Sequence, residues 1–417
     1  MFPNSSVCLR FISESQKFKV KRSAKWMKKS SVHENALFWN EMPSDDDDLE
    51  EDCAVSMQTN QLRIFVGTWN VGGRSPVGNL SVDLEEWLNL KDPADVYVLG
   101  FQEIVPLKAR HVIGGDDRSE ATNWNILVGK TLNEKTTRKS YNLSSTPSHV
   151  LMCSSLREFS STEGRRYQLT ATKKLVGVLI TVWLKREIVA KHAISNTRVC
   201  SVGCGIMGYL GNKGSVSISM SIGGTSFCFV CAHLASGEKK GDENRRNHQV
   251  LEIFKRTAFP SHPSIISDHD CIFWFGDLNY RLYLEDSLAR HLIQKEDWKG
   301  LQEFDQLRRE LDEGGVFEGW KEGNIEFAPT YKYSVGNSYR YSGGHTGRSG
   351  EKQRTPAWCD RILWYGKGMR QLSYVRSESK FSDHRPVSAL YLLQMEEMKP
   401  SRTTVPLPIQ NHSQVEE

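Results

Sequence analysis

The run Cys271-Ile272-Phe273-Trp274-Phe275-Gly276-Asp277-Leu278-Asn279-Tyr280-Arg281 decides how this chain reads. Five apolar residues end at a glycine, and an Asp and an Asn two apart follow; on an extended backbone those two point to the same side. One acid and one amide therefore reach the same sheet edge. Further along, Ser382-Asp383-His384-Arg385-Pro386 sets a carboxylate beside an imidazole ahead of a proline, just before the alternating run Val387-Ser388-Ala389-Leu390-Tyr391-Leu392. An acid, an amide and a His on strand ends suit metal-assisted attack of water on phosphorus.

Outward from these two segments the same design recurs. Residues 62–70 (LRIFVGTWN) and 95–103 (DVYVLGFQE) read as strands that end on polar groups, delivering Asn70 and Glu103 to an edge. Further strands are predicted over 174–184, 197–202, 215–222, 225–234, 360–364, 371–376 and 387–393. Helical periodicity covers 242–257, 287–294 and 299–311, the last closed by Gly314-Gly315. Strand-rich halves with helices outside predict an α/β protein, a two-sheet β-sandwich flanked by helices. Residues 1–60 read as a disordered tail, 61–395 as the catalytic region and 396–417 as a second disordered tail. Residues 108–161 are Ser/Thr-rich and weakly patterned, which predicts a surface insertion with a helix around 130–139.

With 417 residues, 38% of them apolar, the chain can bury a large core. No run approaches the length of a membrane span, and no apolar signal core opens the chain. The nine cysteines are odd in number and scattered, which is not the layout of a disulfide-stapled secreted fold and favours a reducing cytosol. Cys228-x-x-Cys231 lies inside an apolar run with no second pair nearby, so strand packing is expected there rather than zinc. The net charge of +4 conceals segregation: residues 17–29 (KFKVKRSAKWMKK) are basic with aromatics interleaved, and 45–52 (DDDDLEED) almost wholly acidic. Such a leader is either a solvated tail or a tether to anionic lipid.

Several chemistries are excluded by context. Gly203-Cys204-Gly205-Ile206-Met207-Gly208 fits G-x-G-x-x-G, but a β-alternating run follows where a dinucleotide fold needs a helix. Asn212-Lys213-Gly214-Ser215 lacks the residue order of a P-loop, although a turn whose amides and Lys213 approach an anion remains open. No cysteine has an arginine at the spacing of a cysteine phosphatase, and no Gly-x-Ser-x-Gly elbow is present. Water becomes the default nucleophile. His233, at another strand end, joins the polar set; His269 and its flanking Asp268 and Asp270 read as a solvated loop. Tyr331 and Lys332 in PTYKY, and Lys352, Arg354 and Arg361 in KQRTPAWCDR, gather cations and aromatics suited to a substrate with several phosphates. Asp360, entering a strand, is placed to orient His384.

In order along the chain, TWNVGG, FQEIVPL, GNKGSVS, CAHLASGE, FGDLNYR, PTYKY, RTPAWCDRILW and SDHRPV resemble the signature series of the inositol polyphosphate 5-phosphatases, most closely the plant branch. The family belongs to the endonuclease/exonuclease/phosphatase superfamily, and the resemblance implies its deoxyribonuclease I-like fold. Carried over by motif, Glu103 would bind Mg²⁺ with Asn70 beside it, and Asp383 would hold the metal or its waters. Asp277 would accept a proton from the attacking water, with Asn279 positioning water or phosphate. His233 and His384 would bind the scissile phosphate, Asp360 fixing the tautomer of His384. Tyr331, Lys332, Lys352 and Arg354 would hold the 4-phosphate, and Lys213 another phosphate. No covalent intermediate is needed.

The resemblance implies Mg²⁺-dependent hydrolysis of the 5-phosphate of phosphoinositides, PtdIns(4,5)P2 and PtdIns(3,4,5)P3 favoured by the basic aromatic leader over soluble Ins(1,4,5)P3. The expected partner is phosphoinositide lipid at the cytosolic membrane face, met by a monomeric, cytoplasmic, peripherally bound enzyme; no nucleic acid is expected. A superfamily nuclease is the alternative enzyme, disfavoured because a backbone cutter has no use for PTYKY or the Lys352 block. A catalytically inactive phosphoinositide-binding scaffold is the non-enzyme alternative, disfavoured by the intact polar set.

Overall fold

The computed structural model describes residues 61–79, 82–107, 118–134, 164–334, 340–343 and 354–395. By contacts the chain divides at Met57/Gln58, and all of these residues lie in the second unit. Both expected tails, Lys352 and most of the 108–161 stretch fall outside them.

Twelve described strands form two six-stranded sheets. The first has the order β11-β12-β1-β2-β4-β3 and the second β5-β6-β7-β8-β10-β9. In the first, the strands are β1 Gln61–Asn70, β2 Val96–Gln102, β3 Tyr167–Leu175, β4 Val178–Lys185, β11 Met369–Arg376 and β12 Val387–Gln394. In the second they are β5 Ile194–Gly203, β6 Gly214–Ile222, β7 Thr225–His233, β8 Cys271–Asp277, β9 Lys321–Glu322 and β10 Asp360–Gly366. Each sheet contains one parallel pair, β1 with β2 and β7 with β8, among otherwise antiparallel neighbours.

Strand alternation explains the layers. Leu62, Ile64 and Val66 of β1 and Val96 and Val98 of β2 join Phe227, Phe229, Phe273 and Phe275 in the core between the sheets. The alternate residues Phe65, Trp69, Tyr97, Leu99 and Phe101 face the other way, into a second core with Trp87 and with Trp124 and Val128 of helix α1 (Ser119–Asn133). Val230, Ala232, Ile272 and Trp274 build a third against Val250 and Ile253 of a helix spanning Asp242–Arg256. A sheet buried on both faces explains why these strands read as nearly continuous apolar runs. The same alternation separates Cys228 from Cys231: three apart, they face the outer and the inter-sheet core respectively, so they cannot share a metal.

Four expectations need correction. The run 174–184 is not one strand but the turn of a hairpin, with Val176 in the left-handed region between β3 and β4. Its turn residues are Val and Gly, so apolarity hides the break. The helix expected over 299–311 is two, Trp298–Gln302 and Gln306–Asp312, because the Asp305 carboxylate accepts the backbone N–H of Arg308 and starts a new helix. The helix expected around 130–139 begins earlier, carried by the stripe Trp124, Val128 and Leu132. His269 is not solvated: it is buried, with Nε2 hydrogen-bonded to Ser219 Oγ at 2.8 Å, and Asp270 Oδ2 accepts from the Ser226 hydroxyl.

Candidate active site

Strand direction brings the polar set together. The parallel strands β1, β2, β7 and β8 all finish at one end of the sandwich, on Asn70, Gln102 followed by Glu103, His233 and Asp277. Strands β10 and β12 run antiparallel to β8 and β1, so they begin at that same end. Asp360 pairs in register with Asp277, and Val387 with Thr68, which puts Asp383 and His384 beside Asn70. Across the second sheet, Gly214, His233, Asp277 and Asp360 form one register row.

Local backbone features aim the groups. Gly276 has φ +142°, and a Cβ there would lie 1.9 Å from the Ala232 carbonyl oxygen, so only glycine fits before Asp277. Glu103 and Asn279 are left-handed non-glycine residues, at φ 54° and 56°. For Asn this is tolerable; for Glu it costs about 1–3 kcal/mol, a cost concentrated at functional sites.

Asp277 is the centre. Its Oδ2 accepts from Asn70 Nδ2 at 2.9 Å and lies 3.2 Å from His233 Nε2, while its Oδ1 accepts the Asn279 backbone N–H at 3.2 Å. Asn70 Nδ2 also reaches Glu103 Oε1 at 3.4 Å, and His233 Nε2 lies 3.8 Å from the same oxygen. Lys213 Nζ touches His233 Nε2. On the other side, His384 Nδ1 meets Asp360 Oδ2 at 2.9 Å, and that oxygen also accepts from Thr330 Oγ1 at 2.6 Å. The Trp69 indole donates to the His384 carbonyl oxygen at 3.3 Å. Asp277, Asp360 and His384 bring a ligand-type atom each within 4.8 Å of one another.

The charges are tuned by burial and by each other. Burial alone would raise Asp277, but the His233 hydrogen bond and charge, then His384 and Lys213, hold it well below the usual carboxylate range. His384 resists burial and rises to about 9, chiefly through Asp360 and then Asp277 and Asp383. Burial pushes Asp360 up, and it pulls Lys213 down to about 8. Partial burial would raise Asp383, but His384 and Lys332 keep it below its ordinary value.

The residues expected to read the 4-phosphate are partly assembled. Tyr331 packs tilted against His384 with ring centroids 4.5 Å apart, and Lys332 Nζ donates to Asp383 Oδ2 at 2.6 Å. Arg354 donates to Glu238 Oε1 at 2.8 Å. Lys213 stands against His233 in the middle of the cluster rather than apart from it. Thr330 and Arg281 also contact the cluster and were given no role from sequence; both lie inside quoted motifs, where spacing cannot tell which neighbour touches the site. A cavity of about 870 Å³ lined by Gly223, Asp270, Lys321 and Lys367 lies at the opposite strand ends and holds none of these groups.

A hard divalent cation fits this donor set. Glu103 offers a carboxylate that is 30% exposed, whereas Asp277 and Asp360 are buried with their Oδ2 atoms engaged by hydrogen bonds. Oxygen donors of this kind suit Mg²⁺ or Ca²⁺. The Asn70 amide N–H orients Glu103, and its Oδ1 accepts from Gly72.

Comparison with known proteins agrees with this geometry. A family model described as endonuclease/exonuclease/phosphatase family 2 matches residues 67–390. The type I inositol polyphosphate 5-phosphatase 8 of Arabidopsis thaliana is 50% identical over 84% of this chain and 74% of its own length. The type IV inositol polyphosphate 5-phosphatase 9 of the same plant is 45% identical over 79% and 77%. Among solved structures, the inositol polyphosphate 5-phosphatase domain of SPsynaptojanin, in complex with inositol (1,4)-bisphosphate and calcium ion, superposes with a TM-score of 0.62 at 30% identity, covering 80% of this chain and 84% of that one. A Cimex nitrophorin, at a TM-score of 0.55 and 20% identity over 81% of this chain and 99% of its own, shares the fold alone.

Proposed function

The chain belongs to the inositol polyphosphate 5-phosphatases of the endonuclease/exonuclease/phosphatase superfamily, and from that premise we propose that it removes the 5-phosphate of membrane phosphoinositides, PtdIns(4,5)P2 and PtdIns(3,4,5)P3, with Mg²⁺. The reaction in this reading is direct displacement by water. Asp277, held ionised, orients the attacking water. Its depressed affinity for protons makes it a weak base at rest, so proton uptake becomes favourable only as the P–O bond forms and the water turns acidic. His384 engages Asp360 through Nδ1, which leaves Nε2 to donate to a phosphoryl oxygen, and its elevated pKa keeps that proton in place at neutral pH. Lys213 adds positive charge on the other flank, where it stands against His233, and Asn279 positions the phosphate. Glu103, with Asn70 orienting it and Asp383 nearby, would hold the cation, which when bound polarises phosphoryl oxygens as a Lewis acid. The calcium and the inositol (1,4)-bisphosphate in the SPsynaptojanin complex support both the cation and the leaving 5-position.

What carries the lipid reading is the β5–β6 loop. Ile206, Met207 and Tyr209 are 56%, 87% and 75% exposed, on the loop that joins Gly203 to Gly214 at the same strand ends as His233 and Asp277. Arg256 braces this loop by donating to the Gly203 and Gly208 carbonyl oxygens and lying 5.3 Å from the Tyr209 ring centroid. Apolar side chains held beside a phosphate site suit a substrate whose head group is anchored in a bilayer. A peripheral, membrane-bound location follows from the same reading.

The test is phosphate release from PtdIns(4,5)P2 in liposomes and from soluble Ins(1,4,5)P3, each with Mg²⁺ and with chelator. Mg²⁺-dependent release with liposomes preferred supports the reading. Preference for the soluble head group makes the chain a soluble 5-phosphatase, and chelator-resistant turnover rejects the cation.

A further inference from the structure

Arg281 closes the FGDLNYR run and has no part in the reaction described so far. It is only 5% exposed. Its Nε donates to the Asn279 carbonyl oxygen at 3.1 Å, its Nη2 donates to Asn279 Oδ1, and its backbone N–H is held by Gln306 Oε1 at 2.8 Å. The guanidinium carbon lies 4.6 Å from the ring centroid of Tyr331, whose ring also packs, tilted, against His384. Nη1 is buried and makes no hydrogen bond.

These contacts leave the Asn279 carboxamide one orientation. A guanidinium has only hydrogens to offer, so the atom facing it is the amide oxygen. The Leu234 carbonyl can only accept, so the atom facing it, at 3.2 Å, is Nδ2. The two demands agree, and a flipped amide would set N–H against N–H on one side and oxygen against oxygen on the other. With Oδ1 turned to Arg281 and one Nδ2 hydrogen on Leu234, the donor Asn279 has left for a phosphoryl oxygen is its second Nδ2 hydrogen.

We propose that Arg281 is a positioning residue, which holds Asn279 so that it offers an N–H and not an oxygen to the reacting phosphate, and which ties that orientation through Tyr331 to His384. The inference rests on the role given to Asn279 under the proposed function. A residue that acts through another is exposed by a double-mutant cycle on kcat. With PtdIns(4,5)P2 vesicles and Mg²⁺, Asn279→Ala is expected to lower kcat about 100-fold and Arg281→Met about tenfold. The double variant is expected to be no slower than Asn279→Ala, with KM within about twofold throughout, as loss of transition-state positioning requires. Effects that multiply, or an unchanged kcat in Arg281→Met, overturn the proposal. An unchanged kcat in Asn279→Ala removes the role of Asn279 itself and the proposal with it, which separates the two failures. Should Arg281→Met not fold, as thermal unfolding would show, the same cycle on Arg281→Lys decides, because lysine keeps a cation over Tyr331 but cannot make both contacts to Asn279.

Discussion

His384 and Asp360 show how single residues here depend on their neighbours. His384 is raised to about 9, so its imidazolium contributes to stability fully below the unfolded value near 6.5, and the contribution is lost as pH rises through about 9. If the same proton serves the phosphate, kcat falls along that limb. Asp360→Asn removes the largest upward influence on His384, so the alkaline limb of the pH–rate profile is expected to move to lower pH; a limb that stays in place rejects the pairing. Asp277→Asn leaves the shape of the site but removes the negative charge beside His233 and Lys213 and, in the proposed reaction, the base that takes up the water's proton. A loss in kcat of about 10²–10⁴-fold is expected, read from single-turnover rates, with a lowered melting temperature. Wild-type turnover in that variant rejects Asp277 as the centre.

Among the elements, β2 and β8 set how closely the two sheets approach. A Cβ at Gly100 would lie 2.5 Å from the Phe275 ring and 2.6 Å from Cys231 Sγ, across the core from its own strand. Gly100→Ala is therefore expected to destabilise the protein by about 1–3 kcal/mol, measured by urea unfolding, because ring and sulfur must both move in a packed interior. An unchanged midpoint would mean that the inter-sheet core yields without cost. The β3–β4 hairpin acts on the site in a related way: Ile104 donates to the Gly177 carbonyl oxygen at 3.0 Å, which fastens the segment after Glu103 to the turn. A continuous apolar run concealed that turn, just as the polar stretch before Lys130 concealed the start of α1.

At the scale of the whole molecule, the loop carrying Ile206, Met207 and Tyr209 and the cluster around Asp277 share one end of the sandwich. Met207→Asp is expected to slow hydrolysis of PtdIns(4,5)P2 in vesicles about tenfold, the loss of one buried methionine, and to leave the rate on soluble Ins(1,4,5)P3 unchanged. Equal losses on both substrates would detach the loop from membrane contact. Most of this end was legible in the chain, because a strand that stops on a polar residue announces its direction: Asn70, Glu103, His233 and Asp277 were found that way, and His384 from its place beside Asp383 just ahead of the strand at Val387. The two-sheet sandwich followed from strand periodicity, which is a local property. Sequence alone thus determined most of the strands, the family and most of the polar groups gathered at this end. Only the tertiary structure decided which of them meet: that Lys213 lies against His233, that Lys332 and Arg354 face Asp383 and Glu238, and that Arg281 grips Asn279. Such pairings depend on sheet register and on contacts between residues far apart in the chain, and the period of a sequence carries no information about either.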